Sequence, residues 1–121
     1  MKLNHLDLTV SNVPDAHKFL EKYFGLKGYN GMEPRDGMSF MSDDSGMLLA
    51  LFRAGKGTDA KYPAGFHIGF MQDTREQVQA LYNQLKSGGI ELGRPPGKIR
   101  NSYAFYFHFD QVFIEVGCID H

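Results

Sequence analysis

The sequence predicts an α+β fold built from two βαβββ repeats. Three observations predict it. Residues 3–10 and 65–71 are short apolar stretches, each followed by an amphipathic helical pattern. Three strand candidates follow each helical pattern. His5 and His67 stand at matching places in the two leading strands, about half a chain apart. The 121 residues suit one domain with its own core. We read it as a single domain, 1–121, with repeat units of about 1–54 and 64–121.

In the first strand Leu6, Leu8 and Val10 alternate with His5, Asp7 and Thr9, the period of a half-buried strand. Asn12 then caps a helix, Pro14 suits its first turn, and Asp15 favours its positive end. Val13, Ala16, Phe19, Leu20, Tyr23 and Phe24 form its apolar stripe, with His17 on the polar side, and Gly25 stops it. Residues 27–33 are a strand candidate, and 38–42 and 47–53 form a hairpin around the loop DDSG, residues 43–46. Residues 54–64, rich in Gly and Lys, read as the linker between repeats.

The second repeat opens with the strand 65–71. Asp73 and Glu76 in DTRE read as a capping box, and Val78, Leu81, Tyr82 and Leu85 as the buried stripe of the helix. Gly88 and Gly89 stop it. A strand starts at Ile90 to Leu92, RPPGKIR (94–100) is a loop, and 103–109 and 112–117 form the last hairpin around Asp110 and Gln111. A single helix covers one sheet face per repeat, and the second repeat is the obvious partner for the other.

Composition excludes several classes. A net charge of −1 offers no field for nucleic acid or an anionic membrane. No apolar run nears the roughly 18 residues of a membrane helix, and the N-terminus has no secretory apolar core, so a cytoplasmic location is expected. Cys118 is the only cysteine, which rules out an internal disulfide and, with no activating neighbour in sequence, reads as buried and inert.

One imidazole per repeat and one late carboxylate, Glu115, suggest a metal site assembled from both halves. Glu115 lies in the apolar strand VFIEV, residues 112–116, where an unpaired carboxylate is costly and needs a cation or hydrogen bonds. Pairing the last hairpin about Asp110 and Gln111 sets Tyr106 opposite Glu115 and His108 opposite Phe113, so Tyr106 and His108 share the Glu115 face. Tyr106 can then donate to an oxyanion, and His108 can shuttle protons or be a solvated hairpin residue. Asp7 and Thr9 share the His5 face and can orient an imidazole. Arg94, Lys98 and Arg100 can grip a substrate anion or simply be solvated. Arg53 reads as a rim charge, and neither His17 nor the terminal His121 is expected in the site.

The segments NHLDLTVSNVPD (4–15), FLEKYFGL (19–26), FHIGF (66–70), YF (106–107) and FIEV (113–116) resemble the vicinal oxygen chelate superfamily, over nearly the whole chain. That superfamily holds glyoxalase I, extradiol dioxygenases, fosfomycin-resistance enzymes and bleomycin-binding proteins. The resemblance implies two units in an incomplete, curved mixed-sheet barrel. It implies His5, His67 and Glu115 as ligands of one divalent metal ion (Zn, Mn, Ni, Co or Fe), with Glu115 and Tyr106 the catalytic candidates. It also implies a homodimer acting on a small molecule. The expected activity is a glyoxalase-like lyase or isomerase using vicinal oxygens. The alternatives are fosfomycin-type epoxide opening, extradiol cleavage, or drug or metabolite binding without catalysis. Three departures bear on the reaction. LLALF (48–52) lacks the further acidic or amide ligand usual in glyoxalase I, HFDQV (108–112) replaces a longer hairpin, and the chain ends soon after Glu115, which argues against the fosfomycin type.

Overall fold

The computed structural model describes residues 1–55 and 60–119; part of the expected linker, 56–59, and His121 lie outside them. The chain forms two compact units, Met1–Lys61 and Tyr62–His121. Each is a βαβββ module with one helix and one four-stranded mixed sheet, so the α+β class and the repeat both hold. Among the described residues no helix is long and apolar enough to cross a membrane.

In the first unit β1 (His5–Val10) pairs in parallel with β4 (Leu48–Arg53), which pairs antiparallel with β3 (Met38–Ser42), and β3 with β2 (Lys27–Gly28). The expected strand 27–33 stops after two residues because Asn30 and Gly31 take left-handed φ of 52° and 74°, which bends the chain into a short 3-10 turn. Helix α1 (Val13–Phe24) is capped as expected: Asn12 accepts from the Asp15 amide, and Gly25 closes it at φ 70°. The loop at 43–46 is built on Asp43, whose carboxylate accepts from the Ser45 amide, the Ser45 hydroxyl and the Met47 amide. Burial raises its pKa, but these hydrogen bonds outweigh that effect and leave it below the usual value.

The second unit repeats the order. Parallel β5 (Ile68–Met71) and β8 (Val112–Ile119) lie side by side, then β7 (Ser102–Phe109) and β6 (Gly97–Ile99), both antiparallel. Helix α2 (Arg75–Ser87) starts one residue later than DTRE suggests. Thr74 is the N-cap and accepts from the Gln77 amide, while the Gln77 side chain accepts from the Asp73 and Thr74 amides. The overlapping TREQ satisfies the same capping rule, and its Gln reaches two amides. The strand expected at Ile90–Leu92 is absent, because the Ile90 amide donates to the Leu85 carbonyl and closes the helix end. The strand forms instead within the expected loop, at 97–99, where it pairs with β7 through the Arg100–Asn101 turn.

Each helix packs on one face of its own sheet. In the second unit Val78, Leu81, Tyr82 and Leu85 of α2 are buried, as are Phe105, Phe107, Ile114 and Val116 of the sheet. Tyr82 meets Phe105 edge-on, with centroids 5.2 Å apart. In the first unit the helix face includes a polar contact: His17 is 4% exposed and its Nδ1 lies 2.7 Å from Ser39 Oγ. His17 therefore does not sit on the polar side of α1. The wide stripe of this helix brings it over β3, where the Ser39 hydroxyl satisfies the ring.

Candidate metal centre

The open face of the second sheet carries the candidate residues. The β7–β8 register sets Tyr106 opposite Glu115 and His108 opposite Phe113, as the Asp110–Gln111 turn requires. Parallel pairing sets Gly69 beside Glu115. His67 stands just before β5, not within it, because Pro63–Phe66 is a tight turn closed by the Phe66 amide on the Pro63 carbonyl, with Gly65 at φ 86°. Side chains two residues apart on a strand share a face, so His67 leans over Gly69 toward Glu115. A Cβ on Gly69 would lie 3.6 Å from Glu115 Oε1, so glycine leaves that side of the carboxylate open.

His67 Nε2 lies 3.2 Å from Glu115 Oε1. The other ring nitrogen, Nδ1, donates to the Gly65 carbonyl at 2.8 Å. A carbonyl can only accept, so the Nδ1 proton is assigned by its partner, and a neutral ring presents the Nε2 lone pair to a carboxylate oxygen. Two lone pairs facing each other repel unless a cation lies between them. A proton on Nε2 meets that need, and so does a metal ion, for which imidazole nitrogen and carboxylate oxygen at this spacing are suitable neighbouring donors.

The other predicted ligand, His5, belongs to the first unit. Its Nδ1 lies 2.8 Å from Asn4 Oδ1, an acceptor, which again leaves the Nε2 lone pair to face a cation. It lines a cavity of about 410 Å³ with Asn4, Tyr29, Ser42, Asp43 and Leu48. An oxygen that holds this ring is Asn4's, a residue that strand alternation does not single out. Strand register also locates the missing acid. Gly69, two residues after His67, pairs with Glu115; Asp7, two after His5, pairs with Ala50. Ala50 therefore holds in the first unit the place of Glu115 in the second. Within either unit taken alone, no three His, Cys, Asp or Glu side chains gather around one point among the described residues.

Tyr106 is bound to the carboxylate. Its hydroxyl donates to Glu115, and its ring meets His67 edge-on at 5.5 Å. Burial first, then the Glu115 charge and that hydrogen bond, hold the phenol above its ordinary pKa, while the Arg100 cation opposes them. In an absorbance titration of metal-free protein, Tyr106 is expected to ionise above the usual tyrosine range. Glu115→Gln should bring it down and Arg100→Gln push it up. The opposite order would show that Glu115 is not its governing neighbour.

The basic loop is divided by the sheet. Arg94 lines an apolar cavity of about 340 Å³ with Pro95, Ile99, Tyr106 and Phe113, and Arg100 reaches Tyr106 electrostatically. Lys98 pairs with Tyr103, an odd number of residues from Tyr106 along β7, and so belongs to the other face. His108 is exposed and stacks on Phe113 at 4.5 Å. Arg53 is an exposed charge, paired with Asp36 at 2.6 Å. Cys118 is buried.

Over residues 2–114 the chain matches the family described as the Glyoxalase/Bleomycin resistance protein/Dioxygenase superfamily. The structure is similar to that of a possible glyoxalase from Bacillus cereus, 38% identical, with a TM-score of 0.83 over 98% of this chain and 99% of that one. It is also similar to lactoylglutathione lyase from Agrobacterium tumefaciens, 19% identical, TM-score 0.74, over 97% of this chain and 92% of that one. The fosfomycin resistance protein FosX from Listeria monocytogenes is 19% identical, TM-score 0.76, over 97% of this chain and 90% of that one. These last two likenesses are of fold. No match is found among curated proteins.

Proposed function

Because the chain belongs to the glyoxalase/bleomycin resistance protein/dioxygenase superfamily, we propose that it is a metal-dependent enzyme in which His5, His67 and Glu115 hold one divalent ion and a small substrate binds through two adjacent oxygens. The observation that carries this reading is the approach of His67 Nε2 to Glu115 Oε1 with the Nδ1 proton tied to Gly65. His5, tied in the same way to Asn4, supports it. An ion held by this set would supply Lewis-acid stabilisation of negative charge on a substrate oxygen. The chain's own residues supply the rest. Asn4 and Gly65 hold each ring in one tautomer, Tyr106 offers a hydroxyl proton beside Glu115, and the Glu115 carboxylate can take a proton from substrate. Such proton relocation fits a lyase or isomerase.

Protein purified without chelator should carry about one divalent ion per chain by elemental analysis. Metal-free protein that gains no thermal stability from Zn, Mn, Ni, Co or Fe(II) would rule the reading out. Fosfomycin-type epoxide opening and extradiol cleavage use the same donor set, so hemithioacetals, epoxides and catechols screened side by side separate them. The stacked tier of Tyr106, Phe113 and His108 favours one further reading, a drug- or metabolite-binding protein that needs no metal.

A further inference from the structure

A second cleft opens beside His67 in the same unit, walled by two stacked ring pairs. Tyr62 and Phe66 lie parallel, with centroids 5.2 Å apart and planes 8° apart. His108 and Phe113 stack at 4.5 Å and 23°. With Gly65 and Gln111 these rings line a space of about 330 Å³. Phe66 is 39% exposed, a large apolar surface at the cleft mouth. The cleft also shares two walls with the candidate centre. Phe113 meets the His67 ring edge-on at 6.0 Å, and Gly65 supplies the carbonyl that holds His67 Nδ1.

The hairpin tip adds an independent observation. Asp110 and Gln111 both have positive φ, 47° and 70°. A two-residue hairpin loop of this kind favours Asn-Gly, because a Cβ is penalised in the left-handed region. Gln111 breaks that preference at a turn position that lines the cleft. Backbone strain retained beside a cavity points to use of the strained side chain.

We propose that this cleft binds an aryl group of the substrate, with the Gln111 amide hydrogen-bonding a polar substituent on the ring. The proposal rests on the reading of His67 and Glu115 as the reacting centre and adds the substrate class. Aromatic walls favour an aromatic occupant: a ring meets them over more apolar area, whereas a methyl group leaves most of the cleft to water. The amide, able to donate and accept, serves a phenolic hydroxyl or an aryl carbonyl.

The test compares two probes with the same vicinal oxygens, 2-hydroxyacetophenone and hydroxyacetone, by NMR titration of the full chain as purified. The aryl probe should bind at least about tenfold more tightly, from the extra apolar area removed from water. Phe66→Leu and His108→Leu should each remove most of that preference, and Phe66→Leu should leave hydroxyacetone binding unchanged. Gln111→Gly should raise Tm by about 4 °C, from relief of the left-handed side chain. It should also abolish the preference for 2,4′-dihydroxyacetophenone over 2-hydroxyacetophenone. Equal binding of the aryl and methyl probes, no aryl binding at low millimolar concentration, or an aryl preference indifferent to Phe66 and His108 would overturn the aryl subsite. A Gln111→Gly protein that keeps its preference for the ring hydroxyl would overturn the role of Gln111. Metal content measured on the same samples keeps the two readings apart. Protein without metal affinity but with aryl preference sinks the His67–Glu115 centre alone, and metal-loaded protein without aryl preference sinks the cleft alone.

Discussion

His67→Ala is expected to weaken divalent-ion binding by more than about 100-fold, read by competition with a chromophoric chelator. Losing only the partner that orients a ligating imidazole costs about 10–100-fold, and losing the imidazole itself costs more. Glu115→Gln should have a comparable effect, because the amide keeps the shape of the carboxylate but not its charge. His17→Ala is the control. That ring is buried on the helix side of the first sheet, held by Ser39 Oγ at 2.7 Å and near Glu21 Oε2 at 3.7 Å. Its loss strands a buried hydroxyl and lowers stability without touching metal affinity. Equal loss of metal in His17→Ala and His67→Ala would refute the ligand assignment.

Phe105→Ala is expected to give the largest loss of stability, about 3–5 kcal/mol. In a domain of this size that is a fall in Tm of about 10–20 °C, read by circular dichroism. Phe105 is 2% exposed, meets Tyr82 of α2 edge-on and stacks on Phe107 at 5.9 Å. Its loss removes the ring that joins Tyr82 of the helix to Phe107 of the sheet. Phe113 is as large but half-buried on the opposite face of the same sheet, so Phe113→Ala should cost clearly less. The reverse order would mean that the sheet does not take its stability from α2.

Most of the fold was legible because local chemistry and repeat agreed. Asn12, Pro14 and Gly25 bracket α1, and the Asp110–Gln111 turn sets a register in which Tyr106 faces Glu115. At the start of α2 two local patterns overlap. DTRE and TREQ both satisfy a capping rule, and only the reach of Gln77 decides between them. Strand β6 was hidden in a Pro- and Gly-rich segment, and Ile90 was spent on closing α2. His17 misled because a polar ring can be buried once one hydroxyl meets it, and Ser39 is 22 residues away in sequence. In the site, the facing of Tyr106 and Glu115 follows from hairpin register, and the pairing of His67 with Glu115 from repeat position and the family resemblance. The roles of Asn4 and Gly65 left no such trace, since a neighbour's amide and a main-chain carbonyl follow no periodicity. The left-handed backbone of Gln111 was hidden too, because any residue type can be written into a hairpin tip and only φ reveals the cost.

The two imidazoles differ in how mutation can reach them. His5 depends on the side chain of Asn4, so a single codon change there, or deamidation of the amide with age, alters what the ring leans on. His67 depends on a peptide carbonyl, which every amino acid carries. No replacement of Gly65 deletes that oxygen; it can only be displaced, by a residue that refuses φ 86°. Genetic drift and chemical wear can therefore erode the hold on His5 gradually, while the hold on His67 persists until the turn beneath it changes shape.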